Sequence, residues 1–435
     1  MRDALLLAIV LAGSLTALRL PWVGVLLWTW ISIMTPQGLA WGVAQSFPVA
    51  AVPAVATLAG LLFTKERQSP FIGPAVILLV IFMTWICITF PLSFNVERSA
   101  YMLKKVLKID FMILVSLMLL HTRRHIELFM WILVFSIGFF GVKGGLFTLT
   151  TGGNFRVWGP GGFIGGNNEI ALAIILVIPL MRVLQLQSKN FWVRYGLSVA
   201  MVLSAAASFG SQSRGALLAT AAMSLYLWLK SPRKILFGIG ILVVGGLLLA
   251  FMPESWDQRM NSIGNYQNDA SSMGRINAWW MAWNLAKSHF FGGGFDIYTP
   301  AIFDLYAPNP NNLQAAHSIY FQVLGEHGFI GLFLFLAIWW SVWRSANWLI
   351  AHGEKNPETL WCKHLGAMCQ VSLVGYAVGG AFLSLAYFDL PYDILLLVVV
   401  ARRWLQGYLD ASIPELTPQA RRQYSPQIAI MDSKL

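Results

Sequence analysis

The chain is 435 residues long, 57% hydrophobic and only 11% charged, with a mean hydropathy of +0.64 and a formal net charge of +11. Average soluble domains are roughly 45–50% apolar and about 25% charged, so these figures exclude a soluble enzyme, a disordered regulator and a disulfide scaffold. The positive excess does not point to nucleic acid, because no basic stripe with interleaved aromatics stands on a polar domain; basic loops at a membrane surface account for it.

A bilayer core takes about 20 apolar residues per helical span, so twelve spans would use about 240 residues, more than half of such a chain. The composition predicts an all-α fold: a polytopic bundle of about 12 transmembrane helices. Apolar runs stand at 4–18, 22–37, 44–63, 72–90, 104–120, 126–149, 168–186, 191–208, 214–229, 234–252, 318–348, 364–387 and 389–401. The first run follows Arg2 like a signal-peptide core, but the next begins at Pro21 with no convincing small-residue cleavage site, so it reads as an uncleaved segment. Arg19–Leu20–Pro21 interrupts the first two runs, and together they count as one span with a re-entrant piece. One long polar connection remains, giving the division 1–252 (helices 1–9), 253–316 (an outer loop with interfacial helices), 317–405 (helices 10–12) and 406–435 (a loose tail). Cys87, Cys362 and Cys369 lie in apolar runs without a CxxC pattern and read as inert core thiols.

Basic residues in the short loops set the orientation. With 253–316 outside, the inner loops carry Lys65 and Arg67, Arg123 and Arg124, Lys189 and Arg194, Lys230, Arg233 and Lys234, then Arg344, Lys355 and Lys363, and Arg402 and Arg403. Both termini are then cytoplasmic. The exception is Arg98, Lys104, Lys105 and Lys108, on the outer side where the run 104–120 starts. Lys104 and Lys108 share a helix face, and serve either as snorkelling side chains on anionic lipid or as a phosphate-holding surface.

Five further outer positions are candidates to carry chemistry. Glycines in Gly165-Gly166-Asn167-Asn168-Glu169 open the run 168–186, either as a flexible entry turn or to aim backbone N–H groups at an anion. Arg214, in Ser211-Gln212-Ser213-Arg214-Gly215, is costly at membrane depth. No carboxylate is near it in sequence, so it reads as an interfacial side chain or as the bidentate partner of a ligand anion. Arg275, in Gly274-Arg275-Ile276-Asn277-Ala278-Trp279, lies on a helix that Ser271 or Ser272 can cap. Trp279 and Trp283 share its face, as in a helix lying in the headgroup layer. His317 opens a helix after the outer loop, where a helix N-terminus and neighbouring arginines both disfavour imidazolium, leaving a neutral ring able to accept a proton. Asp389, in Phe388-Asp389-Leu390-Pro391, reads as an outer carboxylate and helix cap.

No HExxH, Walker loop, GxSxG, Rossmann fingerprint or clustered acidic motif stands in a suitable context, which points to chemistry without metal or cofactor. ATP does not reach the outer face, so a reaction there needs an activated substrate. An activated membrane anion that suits several arginines and one base is a lipid-linked pyrophosphate sugar.

Ser-x-Ser-Arg-Gly at 211–215, Arg-x-x-x-Trp at 275–279, His-Ser-x-Tyr with Gly-x-x-Gly across 317–331, and Asn-x-x-Ala from Asn168 resemble the O-antigen ligase and polymerase superfamily. The motifs cover roughly residues 150–350, and the N-terminal half is also similar to the exosortase-associated O-glycosylation ligase branch. One departure is Phe290, where many relatives carry proline before the Gly-x-Gly turn, here at 292–294. The resemblance implies a GT-C-like glycosyltransferase of the bacterial inner membrane with its site facing the periplasm. Such an enzyme moves O-antigen en bloc from undecaprenyl pyrophosphate to lipid A–core, among membrane lipids and without nucleic acid. His317 would be the base and Arg214 and Arg275 the pyrophosphate cations. Arg98, Lys104, Lys105, Lys108, Asn168, Tyr320 and Asp389 would help bind substrate. A polymerase or a protein O-oligosaccharyltransferase of the same superfamily differs only in the acceptor. A lipid-linked glycan flippase, the rival from another class, predicts mid-membrane charges and internal repeats; Lys143 is the main candidate for such a charge.

Overall fold

The computed structural model describes residues 2–71, 73–261, 267 and 269–412, and among these every regular element is helical. In chain order the α-helices are α1 (Arg2–Arg19), α2 (Pro21–Met34), α3 (Val43–Ser46), α4 (Ala51–Phe63), α5 (Pro74–Thr89), α6 (Val96–Leu119), α7 (Arg123–Thr150), α8 (Asn167–Gln187), α9 (Phe191–Gly210), α10 (Arg214–Lys230), α11 (Lys234–Phe251), α12 (Glu254–Asn261), α13 (Ala270–Ser288), α14 (Pro300–Tyr306), α15 (Ile319–Gly353), α16 (Leu360–Gly380) and α17 (Asp389–Ser412). The expected tail 406–435 continues α17 to Ser412 and otherwise lies outside the described residues, as do 262–266 and 268 of the long loop.

The fold is the expected polytopic helical bundle. Among the described residues, six stretches are long and apolar enough to cross a bilayer by themselves: 74–92, 123–150, 167–187, 191–210, 234–251 and 319–353. Helices at the other expected spans are shorter or carry more charge: α2 and α4 have 14 and 13 residues, and α6 bears Arg98, Lys104, Lys105, Lys108 and Asp110. The first two runs do not make one span. Pro21 opens α2 and cannot continue α1. Gly13 then lies against Leu27 and Gly24 against Ala17, so the two helices fold back along each other. Lys143 is exposed on α7 rather than buried, and Cys87 is exposed while Cys362 and Cys369 are core thiols.

Helices buried on all sides are apolar all round. Leu390–Ala401 of α17 and Ile170–Val177 of α8 are buried throughout and form the axis on which the other helices pack. Loops read as sharing a side do meet. At one end Phe94 N bonds Gly293 O (3.0 Å), Gln212 Nε2 bonds Gly153 O (3.2 Å) and Asn167 Nδ2 bonds Ser211 O (2.8 Å). At the other, Gln68 N bonds Met118 O (3.0 Å) and Arg403 Nη2 bonds Leu120 O (2.6 Å).

A break in α15 determines how the long loop attaches. Gly328 has φ 70° and ψ −171°, which takes the carbonyls before it out of the helical ladder. Inside a bilayer each such group must find a partner within the protein. Gly293 N donates to Gly325 O (2.9 Å), Gly294 N to Glu326 O (2.9 Å), and Trp85 Nε1 to His327 O (2.9 Å). The turn that supplies the two backbone donors has Gly292 and Gly294 at φ 73° and 79° and follows Phe290 and Phe291. A Cβ on Gly328 would sit 2.2 Å from Phe290 O.

Gly328→Ala is therefore expected to destabilise the protein by about 1–3 kcal/mol from backbone conformation alone, with the clash adding to it. Gly196→Ala, on an exposed face of α9 with nothing within 4 Å, should leave stability unchanged or slightly raised. Thermal melts in detergent followed by tryptophan fluorescence separate the two; coincident curves would contradict the reading.

Candidate active site

Three segments far apart in sequence converge at the end of the bundle where the long loop sits. The first is the Ser211–Arg214 turn between α9 and α10. Ser213 caps α10 by accepting from Ala216 N (3.2 Å), and Gln212 takes a left-handed conformation (φ 56°). The cap sets Arg214 at the first position of α10, facing the loop.

The second segment is α13. Its cap is Asp269 rather than the expected Ser271 or Ser272, and the Asp269 carboxylate accepts from both Ser272 N (3.0 Å) and Ser272 Oγ (2.6 Å). The same Oδ2 accepts from Arg214 Nη1 at 2.8 Å. Arg214 thus has a protein carboxylate 55 residues away in sequence, one that local inspection does not reveal. Burial pushes the Asp269 carboxyl up, but the Ser272 donors and Arg214 together hold it below the usual carboxylate range.

The third segment is the strap that leads into α15, and α13 fixes it point by point. Asn277 Nδ2 donates to Asn309 O (2.8 Å) and Asn312 O (3.0 Å), while Asn309 N donates back to Asn277 Oδ1 (2.9 Å). Gly274 lets the strap pass: a Cβ there would sit 2.5 Å from Gln314 Oε1. Trp279 does not lie in the headgroup layer as expected. It turns inward, donates from Nε1 to Ala316 O (2.7 Å) and stacks on Phe321 at 5.1 Å with an interplanar angle of 6°. Trp283 keeps an exposed position, edge-on to Phe329. These contacts hold His317, in a left-handed conformation at φ 44°, within electrostatic range of Arg275. A left-handed histidine is uncommon, and strained backbone of this kind gathers at functional sites.

Asn168, Ser213, Arg214, Gly215, Arg259, Arg275, Phe382 and Leu383 line one small pocket. Arg275 Nε and His317 Nδ1 are buried without a hydrogen-bond partner. Burial, then the Arg275 charge, drives the His317 pKa down to about 4, so the imidazole is neutral near neutral pH. Burial, then Arg214, also lowers Arg275, opposed by Asp269 and Glu169. Glu169 folds back over Gly166, where a Cβ would meet its Oε2 at 2.0 Å, so this glycine makes room for a carboxylate near Arg275. The site therefore offers clustered, oriented cations beside one uncharged proton acceptor.

The remaining expected residues lie elsewhere or are already committed. Arg98 pairs with Asp296 (3.0 Å), both about half exposed, an interaction that solvent screens. Lys104 and Lys108 are exposed on α6, and Lys105 sits 3.4 Å over the Phe163 ring. The Tyr320 hydroxyl donates to Ala377 O (2.8 Å). Asp389 is buried in the bundle and accepts from the Ser32 hydroxyl, so it is an internal group rather than an outer one. Asp110 and Asp393, which the sequence reading passed over, are buried near it. Arg259 was also missed. Its only signal was a short helix, α12, with Trp256, Arg259 and Met260 spaced three and four apart. Among the described residues no group of His, Cys, Asp or Glu is arranged to hold a metal ion.

Comparison with known families covers two parts of the chain. Residues 1–188 match a family of unknown function (DUF5935). Curated proteins give no match to the chain. Residues 199–336, which carry Arg214, Arg259, Arg275 and His317, match the family described as O-antigen ligase. It is this segment that carries the likeness to the O-antigen ligase superfamily.

Proposed function

We propose that the protein is an inverting glycosyltransferase of the bacterial inner membrane that transfers O-antigen en bloc from undecaprenyl pyrophosphate to lipid A–core on the periplasmic face. The observation that carries this reading is that Arg214 and Arg275, from separate segments, line one pocket, and that His317, from a third, lies within electrostatic range of Arg275. In the reaction the acceptor sugar oxygen forms a bond to the donor's anomeric carbon. The bond from that carbon to the phosphate oxygen breaks, and its electron pair leaves with the pyrophosphate. His317 takes the proton of the attacking hydroxyl. Arg214 and Arg275 bind the donor and stabilise charge that grows on the leaving group, in a site where such charges act strongly. Asp269 fixes one edge of the Arg214 guanidinium, so the group is oriented before substrate arrives. The chemistry on this scheme uses no metal or cofactor. The ligase subtype draws support from the single long loop at 253–316, since superfamily polymerases often display two.

Purified protein mixed with lipid-linked glycan and offered lipid A–core, a peptide or a second donor molecule tests the reading. Glycan is expected on lipid A–core; transfer to the peptide or the second donor would reassign the subtype. His317→Ala should lower turnover by about 10²–10⁴-fold, and near-normal turnover would remove the base. Arg214→Lys and Arg275→Lys should each lose on the order of 10²–10³ in turnover, with the melting temperature reporting that the fold survives.

The pH profile follows from His317. Its folded pKa is lowered, to about 4, so the imidazole accepts a proton above that pH and is blocked below it. The acid limb of kcat/KM, which reports free enzyme, is expected near there. Bound diphosphate offsets the part of the depression due to Arg275, so the acid limb of kcat should lie at higher pH. Profiles showing it at lower pH would contradict the arrangement.

A further inference from the structure

The second half of α13 lacks the polar face that a helix in a water-exposed loop would show. Ala278, Met281, Ala282 and Leu285 are buried against the protein, while Trp280 and Trp283 are exposed on the opposite side. The asparagines are committed elsewhere: Asn277 holds the strap, and Asn284 Nδ2 donates to Tyr306 O (3.0 Å). Phe290, just beyond the helix, is exposed as well. A helix apolar on both faces belongs in a protein core or in lipid. Lys287, exposed in the last turn, has a stem long enough to carry its charge out to lipid headgroups.

Two spans give the depth of these side chains. Trp283 meets Phe329 edge-on, with ring centroids 5.4 Å apart. Phe329, Phe333 and Leu336 are exposed on α15, and the first charged residue after them is Arg344. Phe329 lies about 22 Å from Arg344 along a regular helix, within the roughly 30 Å of a hydrocarbon core that starts there. Phe291 stacks on Trp85 at 5.5 Å, and Phe290 meets the same indole edge-on at 6.2 Å. Trp85 is about 16 Å from Pro74, where α5 begins, and the stretch 74–92 contains no charged residue. Both counts put the end of α13 level with apolar spans rather than above them. The helix descends in this direction: Trp279 lies beside Phe321, Ala282 against Gly325, and Gly292 against Glu326 and Gly328. The N–H groups of Gly293 and Gly294 are taken by α15, as backbone at that depth requires.

We infer that the second half of α13 and the turn at Phe290 form a re-entrant wedge in the leaflet on the side of the long loop, with Trp280, Trp283 and Phe290 against lipid acyl chains. The long loop is then part of the membrane-embedded body. Arg275 stands up to about 12 Å farther out than Trp283 on the same helix, at the height of the headgroups. The wedge does not depend on the reaction proposed above. Full-length protein in phosphatidylcholine nanodiscs, with Cys87→Ser removing the exposed member of the three cysteines, is given a nitroxide at Trp280→Cys, Trp283→Cys or Phe290→Cys. Phe333→Cys is the lipid reference, and Asn311→Cys, exposed on the strap, is the water reference. Oxygen should relax the labels at 283 and 290 more than a water-soluble nickel complex does, as at 333 and opposite to 311. Position 280 should lie shallower than 290. The inference fails if 283 and 290 behave like 311, or if 280 is deeper than 290. Because a label can itself displace a side chain, the unmodified protein is also irradiated with phosphatidylcholine bearing a diazirine in mid-chain. Lipid adducts are expected within 276–290 as well as on Phe329–Trp340 of α15; adducts on α15 alone would overturn the wedge.

Discussion

A backbone carbonyl buried in the protein cannot be left without a donor, and the break at Gly328 exposes several. The protein answers with the glycine turn that follows α13 and with the Trp85 indole, which together satisfy Gly325, Glu326 and His327. This fixes the C-terminal end of α13 against the middle of α15. With that end pinned, the other end of α13 presents Arg275 and Asp269 to the start of α10, and the connecting strap brings His317 back beside them. A local requirement of buried backbone thus bears on the geometry of a polar site more than three helical turns away along α13.

The site concentrates like charges, and their arrangement limits the cost. Asp269 serves two purposes at once, as the cap of α13 and as the partner of Arg214. The backbone carbonyl and side-chain oxygen of Gln212 each take one arginine, Arg259 and Arg156, and so hold two guanidiniums apart on one residue. Arginine suits these positions better than lysine because its planar fork can be fixed by one partner and still present other edges.

What the sequence revealed and what it hid follow a physical division. Hydropathy shows which helices are apolar enough to cross a bilayer, because it depends on local composition. Arg214, Arg275 and His317 were legible for a different reason: each sits in a short pattern at a helix start, where a charged or titratable side chain is conspicuous. Asp269 was invisible as the partner of Arg214, since 55 residues separate them and only the folded long loop joins them. Trp279 showed its helical face but not its direction, so an aromatic that looked like a lipid anchor proved to be a hydrogen-bond donor to Ala316 O. Asp389 and Tyr320 looked available for substrate, but tertiary packing places one inside the bundle and commits the hydroxyl of the other to Ala377 O.

Trp279 also explains why the Arg-x-x-x-Trp spacing matters physically. One helical turn separates the two side chains, so they leave α13 on the same face. The indole then fixes the carbonyl immediately before His317, while the guanidinium beside it depresses imidazolium formation. One helix turn therefore sets both the position and the protonation state of His317. A shift of α13 along its axis would change both together, whereas movement of α6 or α17 would change neither. The lysines on α6 and the buried carboxylates of α17 consequently have no direct role in tuning His317, even though they share the same end of the bundle. Control of the site lies in the contact between α13 and the strap that follows it.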